Sequence, residues 1–294
     1  MNDDENVYLM IKNDLKLMTQ DQVNLYISLL LNNYEIRKKE HRLYNDNDPI
    51  PKIVIESYFE CVDNPQFNTL ITNFRKKYIL NENKVESVHE ESERRGLRLV
   101  YEFIQNFDDL KNLNIFTLLK IHQILYSKVP YPEFGGKYRV QNIFLPGSGT
   151  DTTNYDLIPQ AIQELYLPVQ ELIKEGVEIS TNKETDKIIS YIDKCIELKC
   201  KLIKIHPFFD GNGRSVRAFI NLMFKIANIP LVYIKSTEKS EYGKAMQTAV
   251  NEGDLSAIKT FYYYKVCDSI LELDIAYNEE KLNKDNFQNE QKIK

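Results

Sequence analysis

Cysteine is scarce in this chain: Cys61, Cys195, Cys200 and Cys267 are its four, in 294 residues. Cys195 and Cys200 lie close together, but on a stretch with helical periodicity and without zinc-type partners nearby. A disulfide framework and a zinc site are therefore not indicated, and the four read as reduced, mostly buried thiols of a reducing compartment. Long apolar runs are lacking as well. The longest, around residues 26–31, is far too short to span a bilayer. The opening Met1-Asn2-Asp3-Asp4-Glu5 is acidic and has no apolar core of a secretory signal. The expectation is a cytoplasmic protein without membrane association. Nor is there an excess of positive charge: a formal net charge of -5 gives no overall footprint for nucleic acid. No internal repeat is visible. What remains, 43% hydrophobic and 28% charged residues, is the composition of a soluble globular protein with material for a large core.

Apolar positions recur at three- and four-residue spacing through 8–17, 23–34, 53–61, 67–79, 96–104, 115–126, 158–173, 188–205, 216–226 and 255–273, which predicts helices there. The polar, proline-containing string 45–51 interrupts the pattern. It separates an N-terminal helical segment, 1–50, from a main domain, 51–277. Residues 278–294 are charged and poor in large apolar side chains, so a disordered tail is expected. One region does not look helical. Glycines bracket Tyr138-Arg139-Val140-Gln141-Asn142-Ile143-Phe144-Leu145, and this predicts a strand or small hairpin.

The most informative string is His206-Pro207-Phe208-Phe209-Asp210-Gly211-Asn212-Gly213-Arg214-Ser215-Val216-Arg217. Pro207 discourages helix at His206, so the preceding helix stops there. The next one starts near Asn212 and aims free backbone N–H groups at the loop, where glycines let a ligand approach closely. Such a helix start favours anions, phosphate above all. Arg214 and Arg217, three apart, share a helical face and can fork onto phosphate oxygens. Asp210 can bind Mg²⁺, which commonly bridges one carboxylate and substrate phosphates. His206 can take a proton near neutral pH. One of Phe208 and Phe209 is expected to plug into the core. No lysine follows the second glycine, so this is not a Walker A loop.

This string resembles the Fic-domain signature at every defined position: histidine, phenylalanine, acid, glycine–asparagine–glycine, arginine, arginine. The resemblance extends over about 82–261. Gly136-Lys137-Tyr138-Arg139 is similar to the segment that opens the family's hairpin flap, and His122 lies where the family often has histidine. Tyr242 and Asn251-Glu252-Gly253-Asp254 resemble its adenine-side helix and turn. The resemblance implies a mostly α-helical bundle with a small β-hairpin flap, and Mg²⁺-dependent transfer of AMP from ATP to a Ser, Thr or Tyr hydroxyl of target proteins and of the chain itself. It gives His206 as base and Asp210 as metal ligand. Gly211, Asn212, Gly213, Arg214 and Arg217 would hold the phosphates, Tyr242 and Asn251 the adenine side. Ile143, Phe144 and Leu145 would be the flap that docks a target segment by strand addition.

Many Fic proteins also carry an inhibitory helix with Ser or Thr, three variable residues, Glu, then Gly or Asn. Within 82–95, Ser87 and Glu91 match this, with Ser92 in the last position. A bidentate pair between Glu91 and Arg217 would displace the γ-phosphate. His89-Glu90 opens like a zinc-protease helix, but Glu93 stands where the second histidine must be, and that reading fails. Three other readings stay open: AMP removal at the same site, another nucleotide donor, and a nucleotide-sensing interaction module with vestigial catalysis. Exposed apolar helix faces would suit a homodimer.

Overall fold

The computed structural model describes residues 67–144, 149–182, 184 and 187–269. The N-terminal segment 1–50, the predicted helices 8–17, 23–34 and 53–61, the break at 45–51, the tail 278–294, Cys61 and Leu145 lie outside the described residues. The described part is mostly helical: α1 (Phe67–Val85), α2 (Glu91–Gln105), α3 (Thr117–Leu125), α4 (Ile158–Glu164), α5 (Tyr166–Asn182), α6 (Ile188–Ile205), α7 (Asn212–Ile226), α8 (Lys239–Asn251) and α9, over 256–269. None of these is long and apolar enough to cross a membrane.

Helix α7 is the axis of the bundle. All but three of its residues are buried, and it packs against α2, α3, α5 and α6. A helix buried all round belongs in the core rather than at its edge. Asn221 explains how such a helix tolerates an amide: its side chain accepts from the Val232 N–H and donates to the Val232 carbonyl, both at 2.9 Å. That clip folds the chain after α7 back against it. Helix α2 contributes the stripe Leu97, Val100, Tyr101 and Ile104, the i, i+3, i+4, i+7 spacing of one buried face.

The periodicity over 158–173 resolves into two helices. Leu165 ends α4, and Pro168, in the first turn of α5, has no N–H with which to continue α4's ladder. Among the described residues there is no strand, and the part of the expected hairpin that they include, 137–144, is irregular. The reason lies with Arg139. Its backbone N–H donates to the Pro207 carbonyl at 2.9 Å. Its buried guanidinium reaches the carbonyls of His206 (2.8 Å), Gln141 (2.8 Å) and Thr153. The segment is thus pinned to the 206–207 corner instead of to a second strand, with Val140 and Phe144 exposed.

Where α2 crosses α3 the backbones nearly touch. A Cβ added at Gly96 would lie 1.8 Å from the Leu125 carbonyl oxygen. Gly96→Ala is therefore expected to force the helices apart and to cost about 1–3 kcal/mol or more. Urea denaturation will measure this, and an unchanged midpoint would contradict the close crossing.

Candidate functional site

The site is the corner between α6 and α7. His206 caps α6 in the left-handed conformation (φ 50°), its N–H donating to Leu202 O at 3.0 Å. This turns the imidazole out of the helix before Pro207 redirects the chain. The ring Nδ1 lies 3.2 Å from the Ile203 carbonyl. A carbonyl only accepts, so Nδ1 carries the proton and Nε2 keeps a lone pair. Burial pushes the His206 pKa below its ordinary value, and Arg139 pushes the same way. The side chain is thereby held as a neutral base.

Phe208 is the plug: it is fully buried and stacks on His122 at 3.7 Å with the rings 9° from parallel, while Phe209 is exposed. Asn212 closes the loop. Its Oδ1 accepts from the Phe208 N–H at 2.9 Å and its Nδ2 donates to the Phe208 carbonyl at 2.8 Å. The Asn212 side chain is thus committed to the loop. Gly211 sits at φ 73°, and a Cβ there would meet the Tyr126 ring at 2.8 Å, so glycine is required on both counts. Asp210 projects outward with its side chain 70% exposed. Burial opposes its charge, but the Tyr126 hydroxyl, the Gly211 N–H and Arg214 lower its pKa.

The two arginines are buried and already paired. Arg214 Nη1 lies 2.6 Å from Glu93 Oε2, and Nη2 donates to the Tyr126 hydroxyl at 3.2 Å. Arg217 Nε donates to Glu82 Oε2 at 2.7 Å, and its Nη2 is 2.7 Å from Glu86 Oε1. Burial opposes the Arg217 charge, but Glu82 and Glu86 outweigh it and raise its pKa well above the usual range. Burial pushes the Glu82 carboxyl up while Arg217 draws it back down. Glu86 ends below the ordinary range, because Arg217, Arg214 and Lys239 together overcome its burial. Glu86 also stands over the helix start: a Cβ on Gly213 would meet its Oε1 at 2.6 Å. A carboxylate oxygen therefore lies where glycine was expected to admit a phosphate.

This corrects the expected brake. Glu91 opens α2 and pairs with Arg98 (3.3 Å) and Arg95 (3.7 Å), not with Arg217. Ser87 lies in a left-handed turn (φ 55°) after α1 has ended, its hydroxyl 3.4 Å from Lys239 Nζ. The two are separated by the turn between α1 and α2 and share no helix. Sequence reasoning missed Glu82, although a signal was present: Tyr78, three residues, Glu82, Asn83 fits the glutamate–asparagine end of the same pattern, with tyrosine in place of serine or threonine.

Tyr242 is buried on α8. Its hydroxyl is 2.6 Å from Nζ of the fully buried Lys199, which also lies over the rings of Tyr242 and Tyr262. Asn251 is exposed at the end of α8, before Gly253 at φ 78°. Ile143 is half-buried and Phe144 exposed on the pinned segment. Among the described residues no three His, Cys, Asp or Glu side chains gather as a metal cage. A cavity of about 840 Å³ beside α2 and α3, lined by Phe103, Phe107 and Phe116, contains none of the motif residues. The corner itself is filled by its own carboxylates.

Residues 112–224 match the Fic/DOC family. Proteins named protein adenylyltransferase Fic from Drosophila sechellia and Drosophila melanogaster are each 27% identical over 176 residues, 60% of this chain and 32% of theirs. The chain thus spans about a third of the length of these curated relatives. Among solved structures, Fic-1 (residues 134–508) from C. elegans superposes with a TM-score of 0.61 at 16% identity, covering 78% of this chain and 72% of that one. A Fic domain containing signaling protein from Bacteroides thetaiotaomicron gives 0.61 at 18% identity, covering 78% and 97%. The motif corner described above lies within the stretch that matches the Fic/DOC family, and the helical bundle around it has the fold of these solved structures.

Proposed function

We propose that this chain is a protein adenylyltransferase that holds itself inactive by filling its phosphate cradle with its own carboxylates. The observation that carries the activity is the pairing of a neutral His206 with two arginines and a glycine-rich helix start at one corner. ATP would bring its phosphates to the backbone N–H groups of Gly211, Asn212 and Gly213, with Arg214 and Arg217 as guanidinium partners. Tyr242 and Asn251 would border the adenine. A target Ser, Thr or Tyr hydroxyl would give its proton to His206 Nε2 as its oxygen bonds to the α-phosphorus. The bond from that phosphorus to the β-phosphate breaks, pyrophosphate leaves, and His206 returns the proton to solvent. Arg214 and Arg217 stabilise the charge that collects on the leaving phosphates.

The donors at Asp210 suit Mg²⁺. One exposed carboxylate, with no cage around it, matches an ion that takes its other ligands from phosphate and water. Bound there, Mg²⁺ would neutralise phosphate charge during transfer. The 137–144 segment, tied through Arg139 to the His206 carbonyl, would register the target, which can be another protein or a second copy of this chain. The buried free thiols Cys195, Cys200 and Cys267 support a cytoplasmic setting.

Inhibition follows from competition for the same donors. Glu82 and Glu86 occupy Arg217, Glu93 occupies Arg214, and Glu86 overhangs Gly213. Incubation with α-labelled ATP and Mg²⁺ tests both halves of the proposal. Glu82→Gly is expected to raise label incorporation at least about tenfold, a barrier change of about 1.4 kcal/mol. Glu86→Gln should do the same with less effect on folding, since Glu86 is partly exposed. His206→Ala in either background should lower transfer roughly 10²–10⁴-fold. Bound but unconverted ATP in all variants would instead favour a nucleotide sensor.

The histidine also sets a pH dependence. Its folded pKa is lowered, so the neutral, proton-accepting form persists to lower pH than an ordinary imidazole with a pKa of about 6.5. In the Glu86→Gln protein, kcat/KM should hold as pH falls through 6.5 and drop only below it. Half-loss at or above that pH would exclude the buried neutral base.

A further inference from the structure

Beside the motif, α3 meets the catalytic turn at two points one helical turn apart. His122, 2% exposed, places Nε2 2.9 Å from the Asp210 carbonyl, while its Nδ1 accepts the Gly136 N–H at 2.9 Å. These partners permit one neutral tautomer only, with the proton on Nε2 donated to Asp210. Tyr126, 3% exposed, donates its hydroxyl to Asp210 Oδ2 at 2.7 Å and accepts from Arg214 Nη2 at 3.2 Å. Gly211 packs directly on this pair: a Cβ there would meet Tyr126 at 2.8 Å and His122 at 3.3 Å.

A buried tyrosine needs one acceptor for its hydroxyl, and a backbone carbonyl would serve. An exposed carboxylate, for its part, needs no protein donor because water supplies it. Joining the two therefore does little for burial and a great deal for direction. It fixes one oxygen of Asp210 and leaves the remaining lone pairs facing outward. The chain Glu93–Arg214–Tyr126–Asp210 then sets the phosphate-side guanidinium and the carboxylate in one frame.

We propose that Tyr126 and His122 are positioning residues of the transfer reaction, a two-point clamp that aims the Asp210 carboxylate at the divalent cation accompanying ATP. This rests on the reading of Asp210 as the metal ligand given above. Partners of metal ligands typically change metal affinity by about 10–100-fold when removed. The test is Mn²⁺ binding to the full chain carrying Glu86→Gln, which uncovers the cradle, with a non-hydrolysable ATP analogue, followed by electron paramagnetic resonance, for that protein as the native reference and for Tyr126→Phe, His122→Phe and Asp210→Asn made in it. Tyr126→Phe keeps the ring. His122→Phe keeps an aromatic stack on Phe208 while removing both hydrogen bonds.

The expected result is Mn²⁺ binding weakened about 10–100-fold in Tyr126→Phe or, should that variant not fold, in His122→Phe. Melting temperature should stay within a few degrees, AMP transfer should be rescued by excess metal, and KM for the target should be unchanged. Native-strength Mn²⁺ binding in a folded clamp variant, with binding lost in Asp210→Asn, overturns the clamp and leaves the metal assignment standing. Native-strength binding in Asp210→Asn overturns the metal assignment and the clamp with it.

Discussion

Two guanidinium groups at the start of α7 set the terms for the rest of this structure. Arg214 and Arg217 are both buried, so each needs a charge partner within the protein or from a ligand. Glu93 partners Arg214, and Glu82 with Glu86 partners Arg217. Glu82 and Glu86 hold the end of α1 against α7 through Arg217, and Glu93 ties α2 to it through Arg214. Anything that takes their place must carry comparable negative charge, which a triphosphate does. On the proposed function, the phosphates of ATP and the carboxylates would draw on the same donors, and the two occupants would compete.

The carboxylates differ in how readily they can leave. Glu82 is fully buried on the last turns of α1, and removing it alone leaves the buried Arg217 paired with Glu86. Glu86 lies one residue beyond the helix, one-third exposed, next to a left-handed Ser87. A side chain there can swing away without unwinding α1. The geometry assigns Glu82 to anchoring the helix and Glu86 to covering the cradle above Gly213.

Much of this corner was legible in the sequence because its determinants are local. Pro207 ends α6, glycines 211 and 213 open the cradle, and periodicity over 216–226 extends back through the loop to give α7. Phe208 plugs the core as the alternation of Phe208 and Phe209 suggested. What could not be read is long-range. Glu82 meets Arg217 across 135 positions, and the local pattern divides between the two glutamates: Glu82 has the asparagine that follows, Glu91 the serine that precedes. Asn212 was read as a phosphate contact from its place in the motif, yet its side chain closes the loop on Phe208. The glycine-bracketed run 138–145 has strand composition, but a strand needs a partner, and Arg139 ties the segment to the 206–207 corner instead. On α3, Tyr126 escaped for a related reason, and His122 was singled out by the family resemblance alone. His122 and Tyr126 have the spacing of an ordinary buried helix face, and only their partners on the catalytic turn distinguish them.

The central claim is that carboxylates of this chain occupy the donors that ATP requires. Calorimetric titration of ATP with Mg²⁺ tests it most directly, using His206→Ala protein to prevent turnover, with and without Glu82→Gly and Glu86→Gln together. Competition predicts that removing the two carboxylates tightens ATP binding at least about tenfold, since about 1.4 kcal/mol of displaced pairing is enough for that factor. Equal affinity in a folded variant would mean that the glutamates and the phosphates do not share a site, and would contradict the account.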